Sequence, residues 1–493
     1  MDRTLIDNFA KECDRAIESG DIAQIDLTIE NLLKLEEQNN DDETVISHIL
    51  YCLSNLYTEK AKLTNEFVGN WRKNIFPENN ILALNYLRKA LSKINENSYP
   101  NNLLEIQTNT ANSLNAFCRV IEANYFWTFD YNFNLPNDAN FVAPYRRALT
   151  LRWLSQFLND PSHSEYYNFM AYKLLKSLRQ NSDKIQHPGI KNDIRHKPDI
   201  VDFLKYGEKM QRYFKSFNKM SEGICYETSE ELNYRIWCLD NLLFLNPMND
   251  ITNTLMAAKD ILQFPNYIIE AGEGPFFSSA FSDIKNRYCK ARYLLYCAIN
   301  AAYPSWLENE LYLIDTLDFV DYSTNTENFK IAFKLCFSVL DSLAMLLNQY
   351  FEIYDEKCSF TSSWIRQKCC HLENPFIDSL YWLSCDLTDI NKTKNWKAPN
   401  PNASCLRILR NDFEHNWVRI ADYPHSIWNN KYDYAKVITK NDLESITMEM
   451  FRYTRSAILY FTFAVTFQEK FNKISKEKMV EIEPQIYNAT ELL

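Results

Sequence analysis

The sequence predicts an all-α protein. Apolar residues recur at three- and four-residue spacing in nearly every long segment, as they do between Leu82 and Ile94. The apolar–polar alternation that is typical of exposed strands is scarce. Only 7 of the 493 residues are glycine, fewer than the turns of β-sandwiches, barrels and dinucleotide-binding folds require. Helical periodicity and the shortage of glycine therefore indicate the same fold class.

The N-terminal part, residues 1–180, is predicted to form a helical-repeat region. Its stretches ILYCLSNLYTEKAK, NYLRKAL, ANSLNAFCRVIEA and PYRRAL resemble tetratricopeptide-type helices between about residues 45 and 180. Helices of that kind stack in pairs because neither helix buries its apolar face alone. The stretch NEFVGNWRKNIFPEN interrupts the repeat period, so a generic helical array is the alternative interpretation.

The connecting region, residues 181–274, contains the one clear basic stretch of an otherwise acidic chain. Residues 184–219 carry nine Lys or Arg and four Asp or Glu, whereas the whole chain has a net charge of −11. That net charge disfavours non-specific attraction to nucleic acid, so any such site must be local. A solvated helix face is the favoured interpretation of the stretch, and a polyanion site is the alternative. Residues 272–275 read as a break before the next domain.

The C-terminal part, residues 275–493, is predicted to form a four-helix bundle. Four apolar stripes with helical spacing are expected to close around one core. Their members are Ile284, Tyr288, Ala291, Leu295, Ala298 and Ala302; Phe329, Phe333, Cys336, Leu340, Leu343, Leu347 and Tyr350; Leu406, Leu409, Phe413, Trp417 and Ile420; and Leu443, Ile446, Met450, Tyr453, Ala457, Tyr460, Ala464 and Phe467. Residues 358–401, called the insert below, read as a long irregular connection, which is usually functional or shields something.

The third helix carries the string CLRILRNDFEHNW, residues 405–417, which has the polar groups of a phosphodiester site. Asn411 and His415 are four residues apart and hence neighbours on one helix face. Arg410 lies about 140° round the axis from His415, and its long side chain is expected to reach across the top of the bundle. A planar guanidinium suits phosphate oxygens, and an imidazole transfers protons near neutral pH. No bound cofactor or metal is expected.

Four helices with Arg-Asn-x-x-x-His on the third resemble the HEPN superfamily, whose hallmark is Arg, a polar residue, and His after four to six intervening positions. The resemblance covers about residues 280–475 and rests on Arg410, Asn411 and His415. It implies a metal-independent endoribonuclease of a defence or toxin type that works as a dimer with two motifs in one cleft. It also implies an acidic residue on another helix. Asp341 is the candidate, and a carboxylate on the solvent side of its helix is the alternative.

Two other Arg–His pairs have the loose spacing. Arg366 and His371 lie in the insert, and Pro424 interrupts the stretch from Arg419 to His425. Neither arginine is followed by Asn, so we do not interpret these pairs as the motif. The alternative for the chosen string is an exposed helix face on which Arg410 pairs with Glu414.

The insert also contains a cluster of possible zinc ligands, Cys358, Cys369, Cys370, His371 and Cys385. It lacks the closely spaced Cys or His pair of zinc sites, so buried thiols are favoured over a metal. The 13 cysteines form no CxxC pair and indicate reduced thiols in a cytoplasmic protein. The polar start of the chain and its longest apolar run, residues 458–467, predict neither a signal peptide nor a membrane span.

The resemblance implies RNA cleavage by attack of the ribose 2′-hydroxyl on the adjacent phosphorus, which leaves a 2′,3′-cyclic phosphate. His415 would act as general acid or base, Arg410 would stabilise phosphoryl charge, and Asn411 would orient His415 or contact phosphate. The expected partners are an RNA substrate, a second copy bound through the bundle, and a protein partner or trigger on the N-terminal repeats. The alternatives are a non-catalytic scaffold whose bundle dimerises and a module that binds RNA or nucleotide without cleaving it.

Overall fold

The structure is a computed structural model that describes residues 3–38, 42–94, 100–135, 137–220, 228–270, 274–300, 306, 312, 320–387, 400–421, 435–471 and 479–482. The chain divides into two compact units. Unit 1 comprises Met1–Glu222 and Ile365–Ala403, and unit 2 comprises Gly223–Trp364 and Ser404–Leu493. The predicted boundaries after residues 180 and 274 stay predictions. The units are divided differently from them, because most of the insert belongs to unit 1.

Helices dominate the described part of the chain, as predicted. Those before residue 222 are α1 (Arg3–Ser19), α2 (Ile22–Gln38), α3 (Glu43–Leu63), α4 (Glu78–Lys93), α5 (Pro100–Ala116), α6 (Val120–Phe126), α7 (Ala139–Leu154), α8 (Pro161–Gln180), α9 (Pro188–His196) and α10 (Pro198–Met220). Those after it are α11 (Ser229–Asp240), α12 (Phe276–Asn300), α13 (Thr324–Tyr350), α14 (Ser362–Cys369), α15 (Pro375–Leu387), α16 (Ala403–His415) and α17 (Lys440–Phe471). The all-α prediction is confirmed, and the N-terminal helices are consistent with the predicted repeats.

The insert is not irregular: it contains α14 and α15. Every residue of α15 from Phe376 to Leu387 is buried. A helix that is buried on all sides is a core helix. Its start is set by Asn374, whose side-chain oxygen accepts a hydrogen bond of 3.0 Å from the Phe376 N–H. The prediction of an irregular connection is therefore wrong, because a helix that is buried on all sides has no solvent-facing polar stripe and so shows no amphipathic period.

Two aspartates on α15 are paired with arginines inside unit 1. Arg88 donates two hydrogen bonds of 2.8 Å to the Asp386 carboxylate, and Arg119 donates one of 2.6 Å. Burial acts to raise the pKa of Asp386, but the two guanidinium charges outweigh it and the pKa is lowered. Because these charges are almost fully buried, their mutual pairing offsets part of the cost of removing them from solvent.

The four predicted bundle helices form in unit 2. α13 packs against both α12 and α17, and its stripe residues Phe333, Leu340 and Leu347 are at most 1% exposed. The α17 helix begins with a reciprocal cap. The Thr439 hydroxyl oxygen accepts from the Asp442 N–H at 3.1 Å and donates to the Asp442 carboxylate at 2.6 Å. Among the described helices, α13 alone is long and apolar enough to cross a membrane, but 61% of its most apolar window is buried, as in a core helix.

The third bundle helix is shorter than predicted. α16 ends at His415, and the chain continues as strand β2 (Trp417–Ala421), which pairs in parallel with β3 (Ala435–Thr439). Trp417 and Ile420 therefore lie on a strand and not on the helical stripe that the sequence suggested. The run Trp-Val-Arg-Ile favours a strand because β-branched and aromatic side chains fit a pleated surface. A second ribbon pairs β1 (Tyr267–Glu270) antiparallel to β4 (Met479–Ile482).

Candidate functional site

The Arg410 guanidinium is held by two groups on α13. Its Nη2 atom lies 3.2 Å from the Asp341 Oδ2 atom. Its central carbon lies 5.2 Å from the centre of the Phe337 ring, a distance at which ring and cation attract each other. The Arg410 side chain is 42% exposed and that of Asp341 43%. The pair therefore fixes a guanidinium at the surface and leaves part of it open to a ligand.

Asp341 is itself fixed by the chain that follows α13. Its Oδ1 atom accepts a hydrogen bond of 3.4 Å from the Phe360 N–H, and the Phe360 side chain is buried. The two carboxylate oxygens thus bind different groups: Oδ1 accepts from the backbone and Oδ2 contacts Arg410. Asp341 is partly exposed to solvent, as in the alternative interpretation, and both of its carboxylate oxygens have partners.

The packing of α16 against α13 explains why Arg410 faces Asp341. The rings of Phe413 and Phe333 meet edge-on with centroids 5.5 Å apart. Along α13 the contacts run from Phe333 through Phe337 to Asp341, while along α16 they run back from Phe413 to Arg410. The two helices are therefore antiparallel, and the α13 contacts lie four residues apart on one face.

Asn411 and His415 lie on another face of α16. Both are exposed, and at about 100° per residue they are roughly 40° apart round the helix axis, whereas His415 is about 140° from Arg410. Among the described residues, the His415 ring has no hydrogen-bonding or ion-pair partner. One chain thus brings Arg410 to Asp341 but does not bring Arg410 and His415 to one side of the helix.

The outer face of α16 combines polar and apolar groups. Cys405 is exposed and Ile408 is 41% exposed, and both share the face with Asn411 and His415 by their three- and four-residue spacing. An apolar side chain beside the motif residues suits contact with another surface.

The alternatives to the motif concern the partner of Arg410 and two other Arg–His pairs. Arg410 pairs with Asp341, and no Arg410–Glu414 pair occurs in the described residues. In unit 1, Arg366 packs over the Phe76 ring at 5.3 Å and His371 is exposed. Arg419 lies on β2, and His425 lies outside the described residues.

The cysteines of the insert behave as core thiols where they are buried. Burial raises the pKa of Cys369 to about 12 and also raises that of Cys385. A thiol with a raised pKa is a poor metal ligand because the ligand is the thiolate. Across the described ranges, no group of three or more His, Cys, Asp or Glu side chains is placed to hold a metal ion.

Three residues beside the motif were missed or misplaced by the sequence interpretation. Phe337 precedes Asp341 by one helical turn, so the four-residue spacing was the available signal. The Phe360 N–H had no sequence signal, because its contact depends on how the chain folds back after α13. Trp417 was assigned to the buried stripe, yet it is 77% exposed.

Comparison with known proteins agrees with the position of the motif. Residues 268–468 match the family model described as LA2681-like HEPN. That match includes α12, α13, α16 and all but the last three residues of α17, and it contains both Arg410 and Asp341. The comparisons with curated proteins and with solved structures gave no match. Residues 268–468 of this chain form an LA2681-like HEPN domain.

Proposed function

We propose that the HEPN domain is a metal-independent endoribonuclease. The observation that carries the proposal is the half-exposed Arg410 guanidinium, which Asp341 and Phe337 of α13 hold in place. Arg410 lies on α16, the helix that also presents Asn411 and His415. A guanidinium fixed in advance stabilises the charge that grows on phosphoryl oxygens without reorganising during the reaction.

In the proposed reaction, the ribose 2′-oxygen bonds to phosphorus while the bond to the 5′-oxygen breaks. One group takes the proton of the 2′-hydroxyl, and another gives a proton to the leaving 5′-oxygen. The products are a 2′,3′-cyclic phosphate and a 5′-hydroxyl. The attacking 2′-hydroxyl is part of the substrate and already lies next to the phosphorus, so the reaction requires no activated water. His415 is assigned to proton transfer, Arg410 to the phosphoryl oxygens, and Asn411 to orienting the imidazole or the phosphate.

A second copy of the chain completes the proposed site. Arg410 and His415 lie about 140° apart on one helix, and two proton transfers suit two imidazoles. The outer face of α16 carries the exposed Ile408 beside Asn411 and His415. We therefore propose a cytoplasmic homodimer joined through the bundle, in which two motifs share one cleft. A role in defence or growth arrest, with a partner or trigger bound by unit 1, follows from the family resemblance.

The test compares the wild-type chain with Arg410→Ala and His415→Ala on total cellular RNA. We expect the wild type to cleave RNA in EDTA and to leave cyclic phosphate ends. In each variant the rate of RNA cleavage should fall by a factor on the order of 10² or more. His371→Ala is the matched control, because it removes an exposed histidine with the same arginine spacing.

Equal RNA cleavage by the wild type and His415→Ala would contradict the nuclease. Dimers that leave RNA intact would favour the non-catalytic scaffold. For that alternative, the specific observation is that Asp341 already neutralises Arg410.

A further inference from the structure

An exposed tryptophan directly follows the motif helix. Trp417 is the first residue of β2 and lies two positions after His415. Its side chain is 77% exposed, and within the described residues its ring makes no aromatic or cation contact. A single exposed apolar side chain is ordinary at a protein surface. The position beside a candidate proton-transfer group and the rigidity of the backbone distinguish this one.

The backbone at Trp417 is fixed on both sides. β2 pairs with β3 from Trp417↔Ala435 to Ala421↔Thr439. At the far end of the strand Ile420 is buried, and its carbonyl oxygen accepts a hydrogen bond of 2.7 Å from the Asp321 N–H. Before the strand, the Asn416 side chain donates to Asp412 Oδ1 at 2.7 Å. The indole is therefore presented without the ordering cost of a flexible loop.

The distance to the motif suits a nucleotide. Consecutive Cα atoms are about 3.8 Å apart, so the Cα atoms of Trp417 and His415 are separated by at most about 7.6 Å. On the helix that precedes Trp417, the Arg410 guanidinium is 42% exposed, although Asp341 balances its charge. An exposed aromatic ring together with an exposed arginine is a combination that proteins use to bind single-stranded nucleic acid.

We infer that Trp417 stacks on a nucleobase next to the scissile phosphodiester and so makes single-stranded RNA the substrate class. The inference rests on the proposed nuclease function. A paired base is already stacked inside its duplex and offers no free face to the indole. Trp417 is a positioning residue in this scheme, because it touches the flanking base and not the reacting atoms.

The first experiment maps the wild-type cut in a short single-stranded RNA. It then removes the base on either side of that cut. With intact RNA, Trp417→Ala should raise KM at least about fivefold, the factor of the weakest base-stacking contact. Its kcat should stay within about twofold, as for a lost binding contact. Trp417→Phe should keep most of the affinity. On the RNA that lacks the stacked base, the wild type and Trp417→Ala should have the same KM.

A matched control is Phe276→Ala, which removes another exposed aromatic ring, 61% exposed at the start of α12. It should leave KM unchanged. The inference is overturned if Trp417→Ala has the same KM as the wild type on intact RNA. It is also overturned if Trp417→Ala raises KM by the same factor on intact RNA and on RNA that lacks the stacked base. It is also overturned if Trp417→Ala turns dimers into monomers in sedimentation, because the indole would then be a contact between copies.

A binding measurement separates this inference from the proposed function. In the His415→Ala background, a fluorescein-labelled single-stranded RNA should bind at least about fivefold more weakly when Trp417→Ala is added. If Trp417→Ala weakens binding but the wild type never cleaves RNA, the nuclease proposal is wrong and the stacking role of Trp417 stands. If the wild type cleaves RNA but Trp417→Ala leaves binding unchanged, the nuclease proposal stands and the stacking role is wrong.

Discussion

The chain has two arginine–aspartate arrangements that differ in their exposure to water. In unit 1, Asp386 of α15 pairs with Arg119 and Arg88, and these three side chains are 0%, 2% and 12% exposed. In unit 2, Arg410 of α16 pairs with Asp341 of α13, and these two side chains are 42% and 43% exposed. The buried charges have no room for a ligand and so serve the fold, whereas the half-exposed pair holds an arginine where a substrate can reach it.

The buried arrangement lies, in chain order, between the two residues of the exposed pair. The Arg410–Asp341 pair joins residues 69 positions apart, and the intervening chain contains α15. Closing a loop of that length costs entropy that the weak surface pair does not offset. The packing of α16 on α13 must therefore bring the pair together, and the pair then sets the direction of the guanidinium.

The largest expected effect is on the buried arrangement. Asp386→Ala leaves the Arg88 and Arg119 charges buried without their carboxylate, which should cost about 3–5 kcal/mol of the free energy of unfolding. Urea denaturation followed by circular dichroism measures it. As a control, Asp202→Ala removes a surface pair with Lys205 of 3.0 Å and should change stability by less than about 0.5 kcal/mol. Equal losses in the two variants would contradict the contrast between buried and exposed pairs.

The next effect concerns activity at the exposed pair. Arg410→Lys keeps the charge but loses the planar fork, so one group no longer reaches Asp341 and a phosphate together. If the nuclease proposal holds, RNA cleavage should fall by a factor on the order of 10²–10³. Arg407→Lys, on the same helix, is the control and should keep its cleavage rate. A fully active Arg410→Lys variant would show that charge alone is required.

A pH effect distinguishes the second aspartate of α15. Burial raises the pKa of Asp378 to about 6, although Arg72 at 2.7 Å and the Trp71 indole N–H at 2.6 Å lower it in part. The folded state therefore takes up a proton at higher pH than the unfolded state. Stability from this group is fully present below about pH 4 and is lost as pH rises through about 6.

Asp378→Asn removes that titration. Its stability relative to the wild type should rise between pH 4.5 and 7.5, by about 2 kcal/mol. The measurement is the difference in urea midpoint at the two pH values, in which the other carboxyl groups cancel. A difference that stays constant or falls with pH would show that Asp378 is ionised throughout this range.

The smallest effect on stability is expected at Asp341. Asp341→Asn keeps an oxygen acceptor for the Phe360 N–H and loses only the half-exposed charge pair, so stability should change by less than about 1 kcal/mol. If the nuclease proposal holds, RNA cleavage should still fall about tenfold, since Arg410 loses its orientation. Thermal melting and cleavage are measured on one preparation. A large loss of stability would place Asp341 with the buried pairs.

The sequence by itself determined the helical class and the approximate positions of the four bundle helices, and it predicted Arg410, Asn411, His415 and Asp341 as candidate site residues. Periodicity is local, so the stripe on α13 and the motif on α16 were readable from single segments. Asp341 was found because a lone charge interrupts an apolar stretch, and Arg410 because Asn and His follow it at the expected spacing.

Only the tertiary structure decided which partner each segment packs against. It placed α15 in the core of unit 1, turned Arg410 toward Asp341, and ended α16 at His415 so that Trp417 became the exposed start of a strand. These outcomes depend on contacts between residues far apart in the chain. An apolar pattern shows that a face is buried, but it does not name the surface that buries it.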